Sequence, residues 1–335
     1  DLQRAGRHRA SRVMLDGHGK PERAERLRSL LPLLRELNDL KRLYAVNLGA
    51  CSLATQVFRG ACLPLSDGRS LEAAEWTTTL LAAARLGAIS PEVLACAGLS
   101  AAEAGAIFER SIGAHDGLPA ATREALGAST NGLDGRLEGH FNYPEGHWAD
   151  RLCRSPRAGA TCPGKPRIAL EPAEMHSDHC SIVAVYGFLI ADAFGANPED
   201  AWLIGLCHHF HNAYLPDAGF TGEVLLGNSL DRIIRNFREE GLHQVHASYR
   251  HRIEALFAEI AGDATPLAKT FHAADTIDRV VQMENYERAA RFRVTQALDD
   301  LDLVHEGPVQ AFQKDVLEAV GMVSGNDGSP DANRS

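Results

Sequence analysis

The chain has 335 residues, 45% of them hydrophobic and 23% charged, with a formal net charge of -10. That balance suits a globular protein with a sizeable core, and the acidic excess argues against a dedicated nucleic-acid binder, which would show a basic face. Seven scattered cysteines without a CxxC pair exclude a disulfide framework, and no apolar run reaches the roughly 18 residues of a membrane span.

The first 21 residues, with Arg4, Arg7, Arg9 and Arg12, read as a disordered basic tail. They lack the apolar segment of a signal peptide, so a cytoplasmic location is expected. Residues 22–127 form a helical N-terminal region. Leu27, Leu30, Leu31, Leu34, Leu37 and Leu40 recur at three-and-four spacing and predict an amphipathic helix from Glu22 to about Val46. Leu71 to about Leu86 repeats the pattern. Ser90-Pro91-Glu92 is a helix start, and Ser100 with Glu103 is a capping box.

Residues 128–170 change texture to Gly, Pro, Asn, His and aromatics, as in the stretch from Asn142 to Trp148, and predict an irregular connection. Helices resume in 171–322. The apolar run from His176 to Phe194 stops at Gly195. Asn197-Pro-Glu-Asp200 then supplies a cap, a proline at the first helical position and two acids at the positive end of the helix dipole. That second helix is expected to run to about His211, before a break at Pro216 to Gly219. Further helices are predicted at 229–240, 246–261, 264–298 and 307–322, and residues 323–335 as a disordered tail. No period-two alternation is present, so the fold class is all-α.

Five of the fifteen histidines fall between residues 176 and 211. His176 and His179, His208 and His211, and His272 and Asp275 are each three apart, which puts each pair on one helix face. Imidazole and carboxylate are the ligand set for zinc, iron, manganese or nickel, and three helices presenting them inward is how a bundle builds a metal site.

The same residues resemble the motifs of HD-domain metalloproteins. The stretch from His179 to Ala184 is similar to their HSxxVA opening, with Cys180 in place of serine. Gly205 to His209 resembles GLLHD, the spacing from His208 to Pro216 and Asp217 matches HDIGKxxIPD, and His272 to Asp278 resembles the closing AADxxD helix. The resemblance spans about 171–300. It implies an HD-like helical bundle and a metal set of His179, His208, His209 and Asp275. His209 stands where the family has its namesake aspartate. An imidazole offers one lone pair and cannot bridge two ions, so one divalent transition metal is expected rather than two. Glu174 and Asp178 are alternative sources of a bridging carboxylate.

The resemblance implies a hydrolase acting on a phosphate ester or nucleotide-like small molecule through a metal-activated water. His211 and Asp217 are the catalytic candidates, and Lys269 and His176 the substrate-binding ones. Residues 168–230 hold no lysine or arginine, so a phosphate clamp must come from Arg232, Arg235, Lys269, Arg279 or the loop carrying Arg151, Arg154, Arg157, Lys165 and Arg167. Two further readings stay open: an HD-type iron oxygenase acting on a small polar substrate, and a binding or regulatory module without catalysis. Cys180 and Cys207 are expected to be buried apolar residues. His243, His246 and His251 are undistinguished by any pattern.

Overall fold

The structure is a computed structural model that describes residues 20–44, 51–113, 115, 117–127, 136–137, 139–165, 167–169, 171–291 and 310–311. Its elements bear out the all-α expectation. In chain order they are α1 (Lys20–Asn38), α2 (Leu53–Asp67), α3 (Ala73–Leu86), α4 (Pro91–Cys96), α5 (Ala101–Gly113), α6 (Ala120–Gly127) and α7 (Trp148–Leu152). They continue with α8 (His176–Phe194), α9 (Pro198–Cys207), α10 (Gly219–Leu226), α11 (Leu230–His243), α12 (Ala247–Glu259) and α13 (Pro266–Arg291). Among the described residues, strand-like pairing is confined to three isolated bridges, and no helix is long and apolar enough to cross a membrane.

Local signals set most helix ends. Ser90 Oγ accepts the Val93 amide, Ser100 and Glu103 exchange their capping bonds, and Asn197 Oδ1 accepts the amides of Glu199 and Asp200. Of the predicted stripe, Leu30, Leu34, Leu37 and Leu40 are buried and Leu27 and Leu31 partly so, and Leu33 joins the buried set. α1 ends earlier than expected, at Asn38, and the chain tightens into one 3₁₀ turn over Asp39–Lys41. α9 also stops early. The α-helix ends at Cys207, and Phe210–Ala213 forms a separate 3₁₀ turn. Four helices are additions to the sequence reading: α2, α6, α7, which lies within the predicted irregular connection, and α10. α2 is buried on nearly every side, its Thr55 and Gln56 included. α10 buries none of its residues. The predicted tails, and most of the predicted helix at 307–322, lie outside the described residues.

The chain divides into two units, Asp1–Met283 and Glu284–Ser335. In the first, α8 is the central helix, packed against α1, α2, α3 and α9 around one continuous apolar core. The N-terminal helical region and the 171–283 helices therefore share a single interior. Of the second unit, only the C-terminal part of α13 and residues 310–311 are described.

α8 and α9 form an antiparallel hairpin joined by Gly195, Ala196 and Asn197. Their approach is close because small residues meet: Gly187 faces Ala201, and Gly205 faces Ala184. Carrying that register further along brings His179, in the first turn of α8, opposite His208 and His209 at the end of α9. A methyl group on Gly205 would lie within 2.6 Å of the Ala184 backbone nitrogen, so the helices would have to part. Gly205→Ala is expected to cost about 1–3 kcal/mol in urea denaturation; unchanged stability would show that this crossing has slack.

The irregular connection is pinned beside this hairpin. Trp148 is fully buried, packed against Phe210 at 4.3 Å and edge-on to Phe58. His147 caps α7: its Nδ1 accepts the Ala149 amide, so Nε2–H faces Ser66 Oγ. Burial lowers its pKa to about 4. Because the folded value lies below the unfolded one, the stability is present above about pH 6.5 and declines as pH falls toward 4. In chelator, thermal unfolding of the wild type should weaken across that window. His147→Asn, which keeps a capping oxygen, should show a shallower decline; an identical slope would remove His147 from the account.

Candidate metal centre

Three segments distant in sequence meet where α8 begins. α8 supplies His176 and His179, the end of α9 supplies His208 and His209, and α13 supplies Phe271, Asp275 and Asp278 from one face. His176 and His179 are fully buried and His208 nearly so. One ligand atom each from His179, His208 and His209 lies within 4.8 Å of the others. His179 Nε2 is 3.2 Å from His208 Nε2 and 3.2 Å from Asp275 Oδ1. Ligands held about 2.0–2.1 Å from a tetrahedral metal sit roughly 3.3 Å apart, so both separations match an edge of such a polyhedron.

The tautomers can be read from the partners. His208 Nδ1 faces the Gly205 carbonyl at 2.7 Å, and His176 Nδ1 faces the Ser155 carbonyl at 2.9 Å. A carbonyl only accepts, so both nitrogens carry hydrogen. His209 Nδ1 donates to Asn212 Oδ1 at 2.6 Å, and Asn212 is oriented by its own amide bond to the Leu215 carbonyl. His179 Nδ1 donates to Asp278 Oδ2 at 2.6 Å. His179, His208 and His209 are thus each held by Nδ1, and their Nε2 atoms are left for the centre. Two Nε2 lone pairs at 3.2 Å repel, so a proton or a metal ion must lie between them. Burial drives the pKa of His208 and His209 well below the ordinary value, with neighbouring histidines adding to the effect. Neutral rings are the form that binds metal.

Behind His179 lies a buried charge network. Lys41 Nζ donates to Glu174 Oε1 at 2.6 Å and to Asp278 Oδ2 at 2.8 Å, and Asn38 Nδ2 donates to Asp278 Oδ1. Burial alone would raise the Asp278 pKa, but the Lys41 charge and the His179 bond hold it down at about 2. Glu174 is likewise lowered against its burial by Lys41 and Arg157. Glu174, His179 and Asp278 also cluster closely enough to hold a metal, but the Lys41 ammonium already stands between the two carboxylates. The pair Asp278–His179 therefore has the form of a carboxylate that orients and polarises a metal-binding imidazole. Asp275 divides its oxygens: Oδ1 faces His179 while Oδ2 pairs with Arg279 at 3.1 Å. Burial opposes its ionisation, but the His179 contact and Arg279 outweigh this and keep it below the carboxylate range.

His208, His209 and Asp275 open onto a cleft of about 800 Å³, also lined by Arg157, Glu174, His211, Asn212, Asp217, Arg238 and Arg279. No family model matches this chain, and no curated protein or solved structure matches it.

The expected residues separate as follows. His179, His208, His209 and Asp275 come together. His211 lines the cleft with Nδ1 buried and unpartnered, and burial with the nearby Arg238 lowers its pKa to about 4. Asp217 lines the cleft too, but its oxygens accept the amides of Ala158 and Gly219, so it braces the loop. His176 packs on His209 at 4.8 Å, with Nε2 3.8 Å from Asp217. Lys269 is outside the cleft lining. Asp178 turns the other way, to Ser52, Thr55 and the Met175 amide. His272 is exposed and bonded to the carbonyls of Ile260 and Gly262. His246 caps α12, while His243 and His251 are exposed. Cys180 and Cys207 are buried, as expected.

Lys41, Asn212, Arg238 and the orienting role of Asp278 were not anticipated. Lys41 carried one signal: it falls one residue after Leu40 and seven after Leu34, inside the apolar stripe. Asp278→Asn would keep the shape but weaken both the His179 bond and the Lys41 pair. It is expected to lower zinc affinity by about 10–100-fold in a competition titration on folded protein; unchanged affinity would reduce Asp278 to a structural counterion.

Proposed function

We propose that the protein is a metal-dependent hydrolase of the HD type, acting on a phosphate ester or related nucleotide-like small molecule. One divalent transition metal (zinc, manganese, iron or nickel) would be held by His179, His208, His209 and Asp275. The observation that carries this reading is the convergence of imidazole Nε2 atoms and a carboxylate oxygen at ligand-edge spacing, on the wall of a cleft that also holds three arginines. A metal bound there would act as a Lewis acid toward a phosphoryl oxygen and lower the pKa of its water.

The chain's own groups have separate tasks in this reading. Arg157 and Arg279 border the ligand atoms and neutralise phosphate charge. His211, uncharged and with Nδ1 free, takes the proton of the attacking water. Phe271, packed on the His208 ring at 5.1 Å, keeps bulk water from the ligand side. His209 in place of a bridging aspartate, Asp217 engaged by backbone amides and Glu174 engaged by Lys41 all support one ion rather than two. The cysteines among the described residues form no disulfide, which fits a proposed reducing, cytoplasmic setting.

Elemental analysis of protein purified without chelator is expected to find one such ion per chain, and a phosphatase screen with that metal to find activity that His208→Ala abolishes together with metal retention. Two irons per chain would overturn this in favour of an oxygenase. A wild type that retains no metal would leave a binding module.

A further inference from the structure

The cleft's arginines are not equivalent. Arg157 is paired with Glu174 and Arg279 with Asp275. Arg238, on α11, has no carboxylate partner among the described residues, and its Nε is buried without a hydrogen bond. Its guanidinium lies over the Phe257 ring at 4.0 Å, which fixes the plane of the fork and leaves its donors directed elsewhere. Burial without a partner disfavours its charged form. A half-buried guanidinium held in place yet uncommitted is costly for the fold, and the missing partner is an anion the chain does not provide.

A second feature of the same cleft is its apolar rim. Phe220 on α10 and Val280 on α13 line it, and each is 56% exposed, whereas Phe271 and His208 at its floor are 7% and 8% exposed. Ile260 and Met283 extend the apolar lining. Large apolar side chains left in water around a polar floor suit a ligand with an apolar portion.

We propose that the cleft takes an oxyanion carried on an apolar body, with Arg238 binding the oxyanion as a bidentate fork and Phe220 and Val280 covering the apolar part. This deepens the hydrolase reading by naming its substrate class: a phosphate monoester of an apolar or aromatic alcohol, rather than a highly polar sugar phosphate. Inorganic phosphate and phenylphosphonate share the oxyanion and differ in the apolar group, so together they separate the two contributions.

Calorimetric titration of the wild type, both chelator-treated and zinc-loaded, should show tighter binding of phenylphosphonate than of phosphate. Arg238→Met, which keeps the apolar cover of Phe257, should weaken both probes by about tenfold or more. Phe220→Ser, on a helix with no buried residue, should weaken phenylphosphonate by several-fold and leave phosphate unchanged. Equal affinities of wild type and Arg238→Met in both states would overturn the oxyanion assignment, as would failure of the wild type to bind either probe. Equal loss of both probes in Phe220→Ser would overturn the apolar one. Arg238-dependent binding in a protein that takes up no zinc would sink the metal reading alone. Zinc uptake with no dependence on Arg238 would sink this inference alone.

Discussion

One buried lysine organises the centre of this protein. Lys41 is inserted between Glu174 and Asp278, and each carboxylate has a second partner: Arg157 for Glu174, His179 for Asp278. Ion pairs this deep in a protein contribute little net stability, because desolvation offsets attraction, but removing one member is severe because it strands the other. Such an arrangement specifies more than it stabilises. It joins the turn after α1, the residues before α8 and the middle of α13, and so fixes where His179 stands and which of its nitrogens carries the proton. The ligand atoms inherit their geometry from that choice.

The rest of the geometry follows from how closely two helices can pack. His208 depends on Gly205 twice: the missing side chain lets α9 lie against Ala184, and the carbonyl orients the imidazole. A hairpin with a three-residue link and a close crossing has little freedom of register. Histidines near the open ends of its two helices are therefore brought together by backbone constraints before any metal is considered. The early end of α9 matters equally. With Cys207 as its last α-helical residue, His208 and His209 leave the regular 100° spacing of an ideal helix, and both rings turn toward His179.

The sequence was most legible where local chemistry decides. The Asn197 cap, the Gly195 stop and the Ser100–Glu103 box place their helices within a residue or two, and the spacing of the histidines and Asp275 picks out residues that the fold brings together. It was least legible where the environment is set by distant chain. α2 buries Thr55 and Gln56 along with its apolar residues, because Asp178 and the Gly139 carbonyl reach them from distant chain. Lys41, read alone, is a solvated residue at a helix end; only α13, more than two hundred residues later, makes it a counterion. Arg238 and Arg232 are indistinguishable as letters, and the cleft alone separates them. His272 shows the converse. Its three-residue spacing from Asp275 suggested a shared face, yet the nearby carbonyls of Ile260 and Gly262 hold it outward.

The residues of the candidate metal centre and the charge network behind it span residues 41 to 278, and the bonds that join Lys41, Glu174, His179 and Asp278 all run between segments distant in sequence. Assembly of such a centre closes a loop of more than two hundred residues, a non-local pairing whose closure entropy must be met before its contacts form. Before α13 arrives, Lys41, Glu174 and His179 have no Asp278, and the imidazoles have no Asp275. An ion that binds only the finished constellation adds RT ln(1 + [L]/Kd) to native stability, and it does so at the seam where the last long helix joins the first. Under the proposed metal reading such an ion would double as a latch, tying α13, and with it one wall of the cleft, to the rest of the core.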